Sequence, residues 1–204
     1  MEIVEEYDVK QMLKKYGINV PDSMLIKDLP ERLDIEFPVV LKVSDKNILH
    51  KSDVGGVVIN IKNMEELKEK FNEMKNKFPN SKFLIEKMVK PGIELIIGST
   101  YDKNFGQTIM LGIGGIFVEL YKDVSFRLIP ISEKDAYSMI DDLKGKKLFE
   151  GFRNYKLKKE DVVSLLLKVS QIVSDLKNVD QLDLNPIIFN EDGYFVVDAK
   201  LILK

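Results

Sequence analysis

From Gln181 to Leu203 the chain reads QLDLNPIIFNEDGYFVVDAKLIL, two alternating runs around an Asp192-Gly193 pair. Asp-Gly is the favoured pair for a two-residue type I′ turn. Side chains on a strand alternate between faces, so this segment folds as a hairpin that must bury one side. Taken literally, the turn pairs Glu191 with Tyr194, Phe189 with Val196, Ile187 with Asp198 and Asn185 with Lys200. Leu182, Leu184, Pro186, Ile188, Phe195, Val197, Ala199 and Leu201 then face a core. The opposite face gathers Asp183, Asn185, Asp198 and Lys200. Asn185 and Asp198 become diagonal neighbours, about 7–8 Å apart. An amide oxygen and a carboxylate suit Mg²⁺, which takes few protein ligands and completes its octahedron with water and nucleotide phosphates. The same pattern also describes the polar outer face of an edge hairpin.

The rest of the chain has the same mixed character. Val9, Met12, Leu13 and Tyr16 repeat with helical spacing, with Gly17 ending the helix and Pro21 following it. FPVVLKV, residues 37–43, reads as a buried strand, and Gly55-Gly56 open a second, VVINI. Met64, Leu67, Phe71, Met74 and Phe78 mark an amphipathic helix. A strand runs from Phe83 to Met88, and two more flank the turn DKNFG. Phe126 to Ile129 looks extended. Ser132 with Asp135 resembles a helix N-cap, and residues 145–156 form a basic and aromatic connector. Glu160 to Leu176 is a largely buried helix with a polar stripe of Ser164, Lys168, Gln171 and Asp175. Hairpins outnumber strand-helix-strand units, which favours α+β lobes over a doubly wound sheet.

Several residues carry chemistry. Lys42 interrupts an apolar strand. Alternation alone would turn it to solvent; buried, a lone ammonium would need an anion such as a phosphate. Glu86-Lys87-Met88-Val89 runs into Pro91-Gly92. Such a strand end can leave backbone groups for an adenine edge, or be plain surface. Glu94 follows the same bend, where a carboxylate could meet ribose hydroxyls. His50 is the one histidine and lies in NILHKSDVGGVVI, between Lys42 and Gly55-Gly56. Histidine can accept a phosphoryl group on nitrogen. A lone loop histidine also needs no special role. GxxxxGK[ST] and GxGxxG are both missing, and GIGG at 112–115 opens no helix.

With 31 basic and 33 acidic residues the net charge is −2, which gives no reason to expect a nucleic-acid or anionic-membrane partner. Cysteine is absent, so thiol chemistry is excluded; a secreted domain can do without disulfides, but their absence fits a reducing compartment at least as well. The acidic start lacks the pattern of a signal peptide, and no apolar run nears the roughly 20 residues of a membrane span. The expectation is a soluble, cytoplasmic protein.

Taken in order, FPVVLKV, NILHKSDVGGV, FLIEKMVKPGIELIIG, GIGGIFVELYKDVSFRLIP, LDLNP and VVDAK resemble the ATP-grasp β subunit, or β domain, of ADP-forming acyl-CoA synthetases such as archaeal acetate–CoA ligase. The resemblance covers nearly the whole chain. It implies an ATP-grasp fold, two α+β lobes gripping the nucleotide, with approximate lobes 1–88 and 89–204. It implies that Lys42 contacts nucleotide phosphates, that Glu86 and Met88 form the hinge around adenine, and that Glu94 lies near the ribose. Gly55 and Gly56 would belong to the hairpin over the phosphates, Asn185 and Asp198 would bind Mg²⁺, and Arg127 would be a phosphate contact. The family reaction converts acyl-CoA, ADP and phosphate reversibly into acid, ATP and CoA. The partner, a CoA-binding α subunit in an α2β2 assembly, forms the acyl phosphate and is phosphorylated on its own histidine. His50 matches the β-subunit histidine of the relay to ADP, with Asp53 a candidate to orient its ring. The segment between Pro21 and Phe37 is short for the family, and the α domains are missing. Two other readings keep the fold: a nucleotide-sensing or scaffolding subunit without turnover, and a stand-alone ATP-grasp ligase, which leaves HKSDVGG unexplained.

Overall fold

The computed structural model describes residues 1–48, 51–115, 122–150 and 157–204. They divide into two compact units, one of Met1–Val4, Val9–Val20 and Lys90–Lys204, the other of Glu5–Asp8 and Pro21–Val89. In the middle of the chain the change of unit falls between Val89 and Lys90. Strand β1 (Glu2–Val4) pairs with β11 (Ala199–Leu203), placing Glu2 opposite Leu203. Helix α1 (Glu6–Lys15) sends Val9 and Leu13, both fully buried, into the core of the larger unit. Gly17 ends that helix with φ +69°, a left-handed conformation that glycine adopts without steric cost.

The smaller unit is a four-stranded antiparallel sheet, ordered β2 (Ser23–Ile26), β5 (Lys82–Lys87), β3 (Val39–Ser44), β4 (Val57–Ile61). Strand β3 is buried along its whole length, as a run of Val and Leu demands. Val39, Leu41 and Val43 share a core with Phe83 and Ile85 of β5 and with Leu67, Phe71 and Met74 of helix α2 (Met64–Lys77). Asn63 caps α2 by accepting from the Glu66 amide. Four-residue β2 is too short to show a period in the sequence.

In the larger unit the described strands run β1, β11, β9 (Val179–Asn190), β6 (Ile93–Asp102), β7 (Gly106–Ile113), β8 (Val124–Leu128), with β10 (Gly193–Val196) also paired to β9. Every described pairing is antiparallel. Helices α3 (Glu133–Asp141) and α4 (Lys159–Leu176) cover one face. Ser132 and Asp135 form a reciprocal capping box at the start of α3. Ser164, Gln171 and Asp175 stand exposed on α4 and Lys168 is half-buried, so the polar stripe falls where its spacing puts it. A 3₁₀ turn, Lys146–Glu150, occupies part of the connector and buries Phe149; residues 151–156 lie outside the described residues.

The C-terminal hairpin forms with a different register. Gly193 pairs with Asn190 and Tyr194 with Phe189, so the loop is Glu191-Asp192. Asn190 explains the slip: its side-chain oxygen accepts from the Asp192 amide at 2.9 Å, an Asx turn that closes the loop one residue early. Both strands move together, so parity is kept and Asn185 comes directly opposite Asp198, its amide donating to the Asp198 carbonyl at 3.1 Å. The expected core face holds only for Leu182, Leu184, Ala199 and Leu201. Beyond them Ile187, Phe189, Tyr194 and Val196 are buried, while Pro186, Ile188, Phe195 and Val197 are half-exposed. Against β6 the register passes from Leu95–Ile187 to Ile97–Leu184, placing Asn185 and Pro186 opposite one residue. This bulge inverts the alternation, and proline, which cannot donate to a ladder, is at home in one.

Candidate functional site

Lys42 stands mid-strand in β3, on the face turned away from α2, and its side chain is only 6% exposed. Its ammonium lies 2.8 Å from the Glu6 carboxylate and 2.7 Å from that of Glu86, side chains 3% and 2% exposed. The open choice between solvent and an anion is thereby decided: the lysine is buried, and carboxylates meet the cost of burying it. Glu86 belongs to the neighbouring strand, with Val40 as its cross-strand partner, so its side chain rises on the same face as Lys42. Glu6 also holds Lys51, 2.5 Å away through its other oxygen. Met88 follows β5, half-buried, and its amide donates to the Pro38 carbonyl at 3.0 Å.

Residues 51–56 form a turn closed by the Gly56 amide on the Lys51 carbonyl at 2.7 Å and anchored to β3 by the Val43 amide on the Gly56 carbonyl at 2.8 Å. Both glycines are required. Gly55 has φ +64°, and a Cβ on Gly56 would stand 2.5 Å from a Val43 methyl. Asp53 is exposed in this turn. His50 lies outside the described residues.

In the larger unit Glu94 is exposed, on the sheet face opposite α3 and α4. Its carbonyl accepts from Gly114 at 2.7 Å, and a Cβ on Gly114 would meet the Glu94 Cβ at 2.8 Å. The GIGG cluster thus lets this backbone approach the Glu94 strand closely. On the same face of β9, Asp183 pairs with Lys200 on one side and Gly98 on the other, two residues from Asn185. Burial first, and then the Asp198 charge, push the Asp183 carboxyl above its ordinary range, with Lys200 opposing. Asp183, Asp198 and the Asn185 amide are therefore an oxygen-rich set in which two carboxylates repel. That donor chemistry fits a hard divalent cation. Fully buried Lys10 donates to the Val197 carbonyl at 2.6 Å, fixing the backbone beside Asp198.

Arg127 is not brought to this face. It pairs with buried Ile109, and its guanidinium donates at 2.7 Å to Ser138 and to Asp142 on and just beyond α3. That arginine braces β8 on the helix layer. Glu6, Lys51, Asp183 and Lys10 were not singled out as site residues from the sequence. Glu6 meets Lys42 across 36 positions, a contact that no local spacing reveals. Asp183 did show a signal, its place on the same polar hairpin face.

The ATP-grasp domain pattern matches residues 1–203. The β subunit of acetate–CoA ligase (ADP-forming) II from Pyrococcus furiosus is 46% identical over 98% of this chain and 91% of its own length. The 4-hydroxybutyrate–CoA ligase (ADP-forming) of Nitrosopumilus maritimus is 43% identical over 92% of this chain, which spans 29% of that longer protein. Among solved structures, acetyl-coenzyme A synthetase 1 of Candidatus Korarchaeum cryptofilum, with coenzyme A and Mg-AMPPCP, superposes with TM-score 0.87 at 39% identity, covering 99% of this chain and 93% of that one. Its phosphohistidine segment points towards the nucleotide-binding site. The fold and the matched pattern define an ATP-grasp domain. The chain belongs to the β-subunit family of ADP-forming acyl-CoA synthetases, the acid–CoA ligases that release ADP.

Proposed function

We propose that the chain binds ADP or ATP and passes a phosphoryl group between a phosphohistidine and ADP, completing its reaction with a CoA-binding α subunit in an α2β2 assembly. The observation that carries this reading is Lys42: a lysine buried mid-strand, set among carboxylates, in the family position that meets nucleotide phosphates. Gly55 and Gly56 keep the turn backbone bare for phosphate oxygens, Glu86 near the end of β5 and Met88 just after it form the adenine hinge, and Glu94 faces the ribose. Asn185 and Asp198 hold Mg²⁺, with Asp183 beside them; the metal, when bound, offsets charge on the phosphates.

His50 receives the phosphoryl group. A neutral ring nitrogen attacks phosphorus on the partner's phosphohistidine, a new P–N bond forms, and the old one breaks with its electron pair returning to the donor imidazole. Oxygen of the ADP terminal phosphate then attacks, and His50 leaves as the free imidazole. Two covalent steps let one phosphoryl group cross between separated sites. The relatives are named for different acids, acetate and 4-hydroxybutyrate, which accords with an acyl pocket supplied mostly by the α subunit. Among the described residues no helix is long and apolar enough to cross a membrane.

The test mixes this chain with its α subunit and follows ATP formation from acetyl-CoA, ADP and phosphate. ATP should appear only with both chains, and His50→Ala should lower the rate at least 10²-fold while leaving ADP affinity within about threefold. An undiminished rate in His50→Ala would remove the relay role and leave the nucleotide site standing.

A further inference from the structure

We propose that Glu6 is a positioning residue that holds the ammonium groups of Lys42 and Lys51 together as one two-cation cradle for the nucleotide phosphates; this rests on the nucleotide-binding reading above. The two oxygens of the Glu6 carboxylate are divided between the lysines, one at 2.8 Å from Lys42 and the other at 2.5 Å from Lys51. The lysines come from unlike places. Lys42 belongs to a fully buried strand, and Lys51 opens the turn that follows His50 and ends at Gly55-Gly56. Two ammonium groups repel, and more strongly where water is excluded. Their side chains are 6% and 15% exposed; Glu86 pairs with Lys42 at 2.7 Å, and Glu6, 3% exposed, is the carboxylate that reaches both lysines.

Glu6 is the first residue of α1, where a carboxylate ordinarily helps by lying near the positive end of the helix dipole or by capping free amides. Here the described side-chain bonds of Glu6 go to lysines far along the chain, 36 and 45 positions away. The Lys51 end is tied to β3 as well, because the Gly56 amide bonds the Lys51 carbonyl and the Gly56 carbonyl accepts from the Val43 amide, one residue beyond Lys42. One carboxylate thus fixes both cations at a point defined by β3. Protein kinases solve a like problem with a helix glutamate that holds the phosphate-contacting lysine of a strand. An ion pair serving stability alone would change the unfolding midpoint and leave nucleotide affinity alone; a positioning residue changes affinity while the fold persists.

The experiment measures Mg-ADP dissociation constants by calorimetry on the full chain with its α subunit, with unfolding midpoints recorded in parallel. Glu6→Gln keeps the shape but not the charge, and should weaken ADP binding at least tenfold. Glu6→Asp should recover most of that loss. Lys51→Met should weaken binding by itself, and adding Glu6→Gln to it should weaken it less than Glu6→Gln does in the wild-type background. Wild-type affinity in Glu6→Gln would overturn the inference, and tighter binding would overturn it too, making Glu6 a competitor of the phosphates. Should Glu6→Gln fail to fold, wild-type affinity in Lys51→Met still overturns it. A wild-type chain that binds no ADP would overturn the nucleotide reading itself, and this inference with it.

Discussion

Lys42 shows how much one residue leaves undecided until its neighbours are known. Its place in an apolar strand permits two orientations, and only the carboxylates of Glu6 and Glu86 fix which one holds. Asp45 is a simpler case. It opens the loop after β3, accepting from the Asn47 amide at 2.9 Å and from the Ser81 hydroxyl at 2.8 Å. The Asn47 backbone bond first, and the Ser81 bond second, hold its carboxyl below the ordinary range. A lowered folded-state value means stability present above the unfolded value and lost as pH falls through the folded one. Asp45→Asn should therefore lower the unfolding midpoint at pH 7 by about 2–4 °C, for a loss near 1 kcal/mol. The difference should shrink as pH falls below about 4, where the free carboxyl is protonated. A pH-independent difference in a midpoint series would show that shape, not charge, is at stake.

At the scale of the element, the C-terminal hairpin separates what a local pattern carries from what it does not. Its existence, and the facing of Asn185 with Asp198, follow from alternation around a turn. The inversion of the core face does not, because a bulge is fixed by pairing with β6, a strand some ninety positions earlier. Ile187→Ala should cost about 2–5 kcal/mol, as removal of a buried isoleucine does, whereas Ile188→Ala should cost less than about 1. Denaturant midpoints on the two variants decide it; equal costs would return the hairpin to simple alternation. Other elements needed no such help. α2, α3 and α4 lie where their apolar spacing puts them, since a helix is read from contacts three and four residues apart. β2 was missed because four residues carry too little pattern.

At the scale of the whole molecule, the N-terminus does not keep company with its neighbours in sequence. β1 completes a sheet edge on β11, and Val9, Leu13 and Ile18 sit among residues from Leu95 to Leu201. Leu13→Ala should cost about 2–5 kcal/mol and speed amide exchange in β6 and β9, leaving β3 and β5 comparatively protected. Equal loosening of all four strands in an exchange experiment would show that the two compact units unfold as one.

The sequence alone determined the class of fold, the hairpin with its polar outer face, and a set of motifs specific enough to name a family. These are local or additive properties: alternation, helical spacing, glycine turns and short strings of residues. Tertiary structure alone decided the bulge at Asn185-Pro186 and the union of Glu6, Lys42, Lys51 and Glu86. Each depends on groups tens of residues apart competing for one position, and burial decides such a competition only once the chain has folded.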